Sequence, residues 1–171
     1  MKKINITVCL LASGLVFSQV VVGGKTIVSN SSVALEFEDT EARGLILPWV
    51  SSASDVSGAV NGTLIFDASD KKVKAKLAAG WKDLSIDPNG SVDLSLQNSL
   101  PEQSSAKVSI GTTSSVPGIL VLEDQNKAMI LPKVAQPHLN IINPAPGMIV
   151  YDTDKKQLVV FNGQVWSFWG T

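Results

Sequence analysis

The stretch Gly62-Thr63-Leu64-Ile65-Phe66-Asp67-Ala68-Ser69-Asp70-Lys71-Lys72-Val73-Lys74-Ala75-Lys76-Leu77 decides the fold class. Gly62 to Phe66 is a short apolar run opened by a glycine, the pattern of a strand buried on both faces. Asp67 to Lys72 is polar and suits a hairpin turn, where an Asp side chain accepts hydrogen bonds from nearby backbone N–H groups. Beyond it, Val73, Ala75 and Leu77 alternate with Lys72, Lys74 and Lys76. That spacing puts the apolar groups on one strand face and three ammoniums on the other. A hairpin with one apolar face is not stable alone. It must pack on a second unit of this chain or on a neighbouring chain.

Working outward, the same period of two recurs. Val92, Leu94 and Leu96 alternate with Ser91, Asp93 and Ser95, and Val108 and Ile110 repeat the pattern. Ile119-Leu120-Val121-Leu122 and Met148-Ile149-Val150-Tyr151 read as strands buried on both faces. Helical spacing is sparse: one short turn is expected over 136–142, stopped by Asn143-Pro144, and another over 54–60. The fold class expected is all-β, short strands and hairpins.

The chain repeats itself. Leu35-Glu36-Phe37-Glu38-Asp39 aligns with Ile119-Leu120-Val121-Leu122-Glu123, and Leu47-Pro48 with Leu131-Pro132. Gly62 to Asp67 aligns with Gly147 to Asp152, one residue further apart, and Asp70-Lys71-Lys72 then meets Asp154-Lys155-Lys156 at the first spacing. Gly80-Trp81 lies near Gly163 and Trp166. Pro48 and Pro132 lack an N–H and belong at strand edges or ends. The expected organisation is a signal peptide at 1–18, an N-terminal strand or linker at 19–32, β repeat unit 1 at 33–84, connecting strands at 85–117, and β repeat unit 2 at 118–171.

The first eighteen residues carry the layout of a secretory signal: Met1-Lys2-Lys3, an apolar run to Phe17, and small Ser18 at the cleavage point. Cleavage there leaves Gln19 first and removes Cys9, the only cysteine. No lipid anchor is expected, because Cys9 does not stand at the cleavage point. No later stretch is long and apolar enough to span a membrane, so none is expected after cleavage. The whole chain has 171 residues, with 14 Lys+Arg against 15 Asp+Glu. That balance argues against nucleic acid as a partner. One cysteine and one histidine argue against a disulfide scaffold, a cysteine metal site and histidine-centred catalysis.

The second unit and its approach read Lys107-Val108-Ser109-Ile110-Gly111-Thr112, Ile119-Leu120-Val121-Leu122, Met129-Ile130-Leu131-Pro132, Asn143-Pro144-Ala145-Pro146-Gly147-Met148-Ile149-Val150-Tyr151-Asp152-Thr153 and Phe161-Asn162-Gly163-Gln164-Val165-Trp166. This resembles a repeat module of exported Bacteroidota proteins and segments of phage tail-fibre-like proteins. The resemblance covers about residues 107–169 and, more weakly, 33–84. It implies a secreted or outer-surface β-rich structural or adhesive segment without known catalytic residues.

Candidate sites fit that reading. His138 has no second histidine to work with and reads as a loop residue. Asp152-Thr153-Asp154 could begin a calcium loop, but Lys155 and Lys156 would repel the cation, so a turn is expected. Glu36, Glu38, Asp39 and Glu41 read as a solvated, partly ion-paired strand edge. No catalytic, cofactor or metal residue is expected. Trp81 and Trp166, at equivalent places, read as seals of their hairpins. The candidate ligand or partner contacts are Trp49, Trp166, Phe168 and Trp169, with Trp166 to Trp169 a flat platform. The function expected is a secreted or cell-surface structural and adhesive protein, periplasm being the other exported location, with a homo-oligomer or other surface proteins as partners. The alternative is a carbohydrate-binding module that holds a glycan on exposed tryptophans. Rings buried between the units favour assembly; exposed coplanar rings favour the module.

Overall fold

A computed structural model describes residues 19–101, 103, 105–112 and 115–170. The expected signal segment at 1–18 lies outside the described residues. The first half forms β1 (Val20–Val22), β2 (Val33–Phe37), β3 (Leu45–Ile46), β4 (Trp49–Val50), β5 (Leu64–Asp67), β6 (Lys72–Leu77) and β7 (Gly80–Asp83). The second half forms β8 (Val108–Gly111), β9 (Leu120–Glu123), β10 (Ala128–Ile130), β11 (Lys133–Val134), β12 (Met148–Asp152), β13 (Gln157–Phe161) and β14 (Trp166–Trp169). One short helix, α1 (Pro137–Asn140), falls where a turn of helix was expected, and a 3-10 turn spans Ala53–Asp55. The fold is all-β, as the alternation implied.

Parallel pairing of distant segments, β1–β2–β10 and β8–β9, stacks the chain coil on coil as a β-solenoid. Two antiparallel meanders, β5–β6–β7 and β12–β13–β14, are built on it. Each meander gains a fourth, parallel strand from the segment after a Leu-Pro: β4 beside β5, and β11 beside β12. Pro48 and Pro132 end the strand before, and each carbonyl accepts a backbone bond, from Phe66 and Tyr151 respectively, both at 2.9 Å. A proline serves there because only its acceptor is used.

The ladders align the two meanders residue by residue. Phe66 pairs with Val73 and Lys74 with Asp83; Tyr151 pairs with Leu158 and Val159 with Phe168. All four correspondences are 85 residues apart, as Phe66 to Tyr151 shows. Trp81 and Trp166 are therefore equivalent. The turns keep the same spacing: the left-handed residues are Lys71 and Lys156, with φ of 60 and 54°. The alignment of Asp70-Lys71-Lys72 with Asp154-Lys155-Lys156 is thus corrected by one residue. The ladder pairs Asp67–Lys72 and Asp152–Gln157 fix the register, and likeness of the turn letters does not.

The two meanders pack on each other, so each supplies the partner the other's apolar face needs. Phe66 and Val73 from one meet Ile149 and Val160 from the other, with Leu47 beside them. A second cluster (Val134, Ile141, Met148, Val150, Val159 and Phe161) lies on the opposite face of β12–β13, roofed by the α1 segment. A third joins Ala34, Leu35 and Ile110 under the solenoid coils. The units also trade strands: β3 pairs with β12, and β10 with β2.

Two expectations are corrected. Residues 91–96 form no strand. Asp93 instead caps its own turn by accepting from the Ser95 N–H at 2.9 Å, and such local bonds compete with a ladder. The Ile119–Leu122 run becomes β9, but Ile119 and Leu120 are exposed. Its two-stranded sheet buries only one face, against the solenoid coils.

Candidate functional site

The outer faces of the two meanders share a backbone and differ in chemistry. In the first, the row across the strands is Ile65, Lys74 and Asp83. Lys72 pairs with Asp83 at 2.7 Å, and Lys74 with Asp67 at 2.9 Å and Asp70 at 2.5 Å. The Lys76 ammonium sits 5.8 Å from the centre of the Trp81 ring. This face is charged and ion-paired, with Asp70 and Asp83 reaching solvent. In the second meander the same row is Val150, Val159 and Phe168. Lys76 is replaced by Phe161, which stacks at 4.9 Å on Trp166.

The loops over these faces differ in the same direction. The segment after β4 turns at Ala53–Asp55, and its counterpart after β11 is α1. Ala53 and Pro137 are both buried anchors. At the outward positions the first loop has Asp55 and Gly58, whereas the second has Leu139 and Ile142. Leu139 is 67% exposed and Ile142 84%. His138 meets the Phe168 ring edge-on, with centroids 5.7 Å apart. His138, expected in a loop, lies instead in the short helix α1. With Phe168 at 37% exposure, the second unit presents an uncharged, largely apolar outer face.

Each unit is pinned by a buried aspartate at the end of its central strand. Asp67 accepts from the Ala53 N–H at 2.9 Å, the Ser69 N–H at 2.9 Å and the Ser69 hydroxyl at 2.6 Å. Burial pushes its pKa up, but Ser69, Lys74 and these N–H groups outweigh it and hold the carboxyl down at about 2. Asp152 caps the equivalent turn, accepting from Asp154 at 2.9 Å, Lys155 at 3.2 Å and Gln136 at 3.3 Å. The position of Lys74 is Val159 here, so Asp152 has no ammonium beside it, and its Oδ2 is buried without a hydrogen bond. Asp152 thus ends β12 and caps the turn that follows, and among the described residues no cluster of three or more His, Cys, Asp or Glu could hold a metal.

The acidic strand edge is corrected in part. Glu36 is fully buried. It accepts from Lys25 Nζ at 2.5 Å and from the Ser29 N–H at 2.7 Å. Burial raises its pKa, and the Lys25 and Ser29 contacts overcome this to leave it at about 2. Glu36 is a tether for the preceding loop. Its place in a strand buried on both sides hides it from period-two reading. Glu41 remains at the surface beside Arg43.

The four candidate contacts separate into two groups. Trp49 and Trp169 are half-buried in the seam between the units. The Trp49 indole N–H donates to the Pro146 carbonyl at 2.7 Å, across to the second unit. The Trp169 N–H donates to the Leu84 carbonyl at 2.6 Å, across to the first. Trp166 and Phe168 lie on the outer face, where His138 meets Phe168; Leu139 and Ile142 stand exposed on the same segment as His138. Leu139 and Ile142 were missed in the sequence, yet aligning Asp55 with Leu139 and Asp83 with Phe168 would have exposed them.

Residues 109–170 match the family model of the phage tail like trimerisation region. The matched segment runs from within β8 through β14 and so takes in His138 and Phe168 with Leu139 and Ile142. The charged face of the first unit lies outside it. No curated protein and no solved structure matches this chain. The resemblance to phage tail-fibre-like segments is supported by this match. No helix among the described residues is long and apolar enough to cross a membrane.

Proposed function

We propose that this chain is a secreted or cell-surface structural protein without catalytic activity, adhesive in role, that works as a homotrimer. The observation that carries the reading is the match of residues 109–170 to a trimerisation region. The fold supports it, since stacked coils and meanders make a rigid β scaffold. The tryptophans support assembly over glycan capture, because Trp49 and Trp169 bind backbone carbonyls across the seam between the units.

The test is the solution mass of the full chain, expressed from its own first residue, by size exclusion with light scattering. A species of three times 18.1 kDa, less the leader, is expected. A monomer at every concentration overturns the trimeric reading. N-terminal sequencing of the same material tests export: it should begin at Gln19.

A further inference from the structure

We propose that the outer face formed by His138, Leu139, Ile142 and Phe168 is the surface by which one copy of this chain holds the next in the trimer. The proposal rests on the trimeric reading above and assigns it a surface. The repeat supplies an internal control. Two meanders with one backbone register differ at the equivalent positions Lys74 and Val159, and Asp83 and Phe168, and the loops after β4 and β11 differ as well, the first exposing Asp55 and the second Leu139 and Ile142. Both sheet exchanges replace a charged residue by an apolar one. A fold that needs only a wetted sheet face is satisfied by the chemistry of the first unit. The second unit gives up that chemistry, leaves Asp152 without its lysine, and exposes Leu139 and Ile142.

The occupant is a second copy of the chain. The face lies inside the segment that matches a trimerisation region. It carries no fixed charge that would select an acidic or basic partner, and the fully buried part of oligomer interfaces is depleted of charge and enriched in aromatics. Contacts of this kind are heterologous in a three-fold ring, so each face meets a different patch of its neighbour and the ring closes after three.

Ile142→Asp tests the surface with little risk to the fold, because this side chain is 84% exposed. Phe168→Asp places the aspartate of the first unit at the equivalent position. Each should raise the concentration at which the trimer dissociates by about thirtyfold or more, the effect of losing one interface hot spot. The far-ultraviolet circular dichroism of Ile142→Asp should match that of the parent. Val20→Ser/Val22→Ser on the edge strand β1 should leave the mass unchanged. If the parent chain is trimeric and Ile142→Asp and Phe168→Asp are both folded trimers of unchanged affinity, this surface is wrong while the trimeric reading stands. If the β1 variant dissociates instead, the surface is likewise wrong. A monomeric parent sinks both.

Discussion

Replacing Asp67 by Ala separates the two buried aspartates most sharply. Asp67 holds the loop after β4, the β5–β6 turn and Lys74 at once, through bonds of 2.6 to 2.9 Å. Removing it leaves the Ala53 N–H without its acceptor at a buried site. Lys74 keeps Asp70 at 2.5 Å, which lowers the cost below that of a fully orphaned buried charge. A loss of about 3 kcal/mol is expected. The ionisation of Asp67 accounts for part of this: a fall from 3.8 to about 2 corresponds to roughly 2 kcal/mol. The folded chain holds the carboxylate ionised down to about pH 2, whereas the unfolded chain takes up the proton near 3.8. The contribution is therefore complete above the unfolded value and is lost as pH falls through the folded one. Asp152→Asn is the companion. Its Oδ1 can still accept from the turn, and the amide replaces an oxygen that had no donor, so a change under about 1 kcal/mol is expected. Urea unfolding followed by tryptophan fluorescence reads both, at one protein concentration because an oligomer's apparent stability depends on it. Equal losses in the two variants at pH 7, or no narrowing of the gap between parent and Asp67→Ala as pH approaches 2, would refute the assignment.

Three further outcomes are expected. Gly163 has φ of 95°, and a Cβ there would run into the Ser91 carbonyl; Gly163→Ala should cost about 2–4 kcal/mol in the same urea assay. Glu36→Gln removes the carboxylate that binds Lys25 and Ser29. The parent should lose this tether as pH drops from 4.5 toward about 2, the window set by its depressed pKa. The variant should show faster proteolysis of residues 23–29 at pH 7, and unchanged cleavage there would count against the tether. Trp169→Phe keeps an aromatic ring but deletes the indole N–H with its 2.6 Å bond to Leu84 and part of the packed area; a stability loss of about 1–3 kcal/mol is expected in the same urea assay.

Much of this architecture was legible because period two and a repeat leave direct traces. The alternation of Lys72, Lys74 and Lys76 with Val73 and Ala75 survives as a sheet with one charged face and one packed on the other unit. Gly62 and Gly147 mark equivalent turns, with φ of 92 and 79°. What stayed hidden depends on distant partners. Nothing local reveals that β3 joins β12 or that β10 joins β2, since those ladders bridge the two units. The Val92–Leu96 alternation misled because no strand among the described residues pairs with it, and a strand needs a partner as well as a pattern. For the site, Trp166 and Phe168 stood out as aromatics, whereas Leu139 and Ile142 lay unmarked in a segment that reads only as a short helical turn. Only the fold shows Pro137 and Ile141 turned inward and those two turned out.

The central claim is that the second unit's outer face is buried between chains while the first unit's is not. Amide hydrogen exchange, compared between concentrated and highly diluted full chain, tests it most directly. The account predicts slower exchange at high concentration in 137–142 and 165–169, with 72–83 unchanged. Protection that appears in 72–83, protection that spares 137–142 and 165–169, or none that depends on concentration, would contradict it.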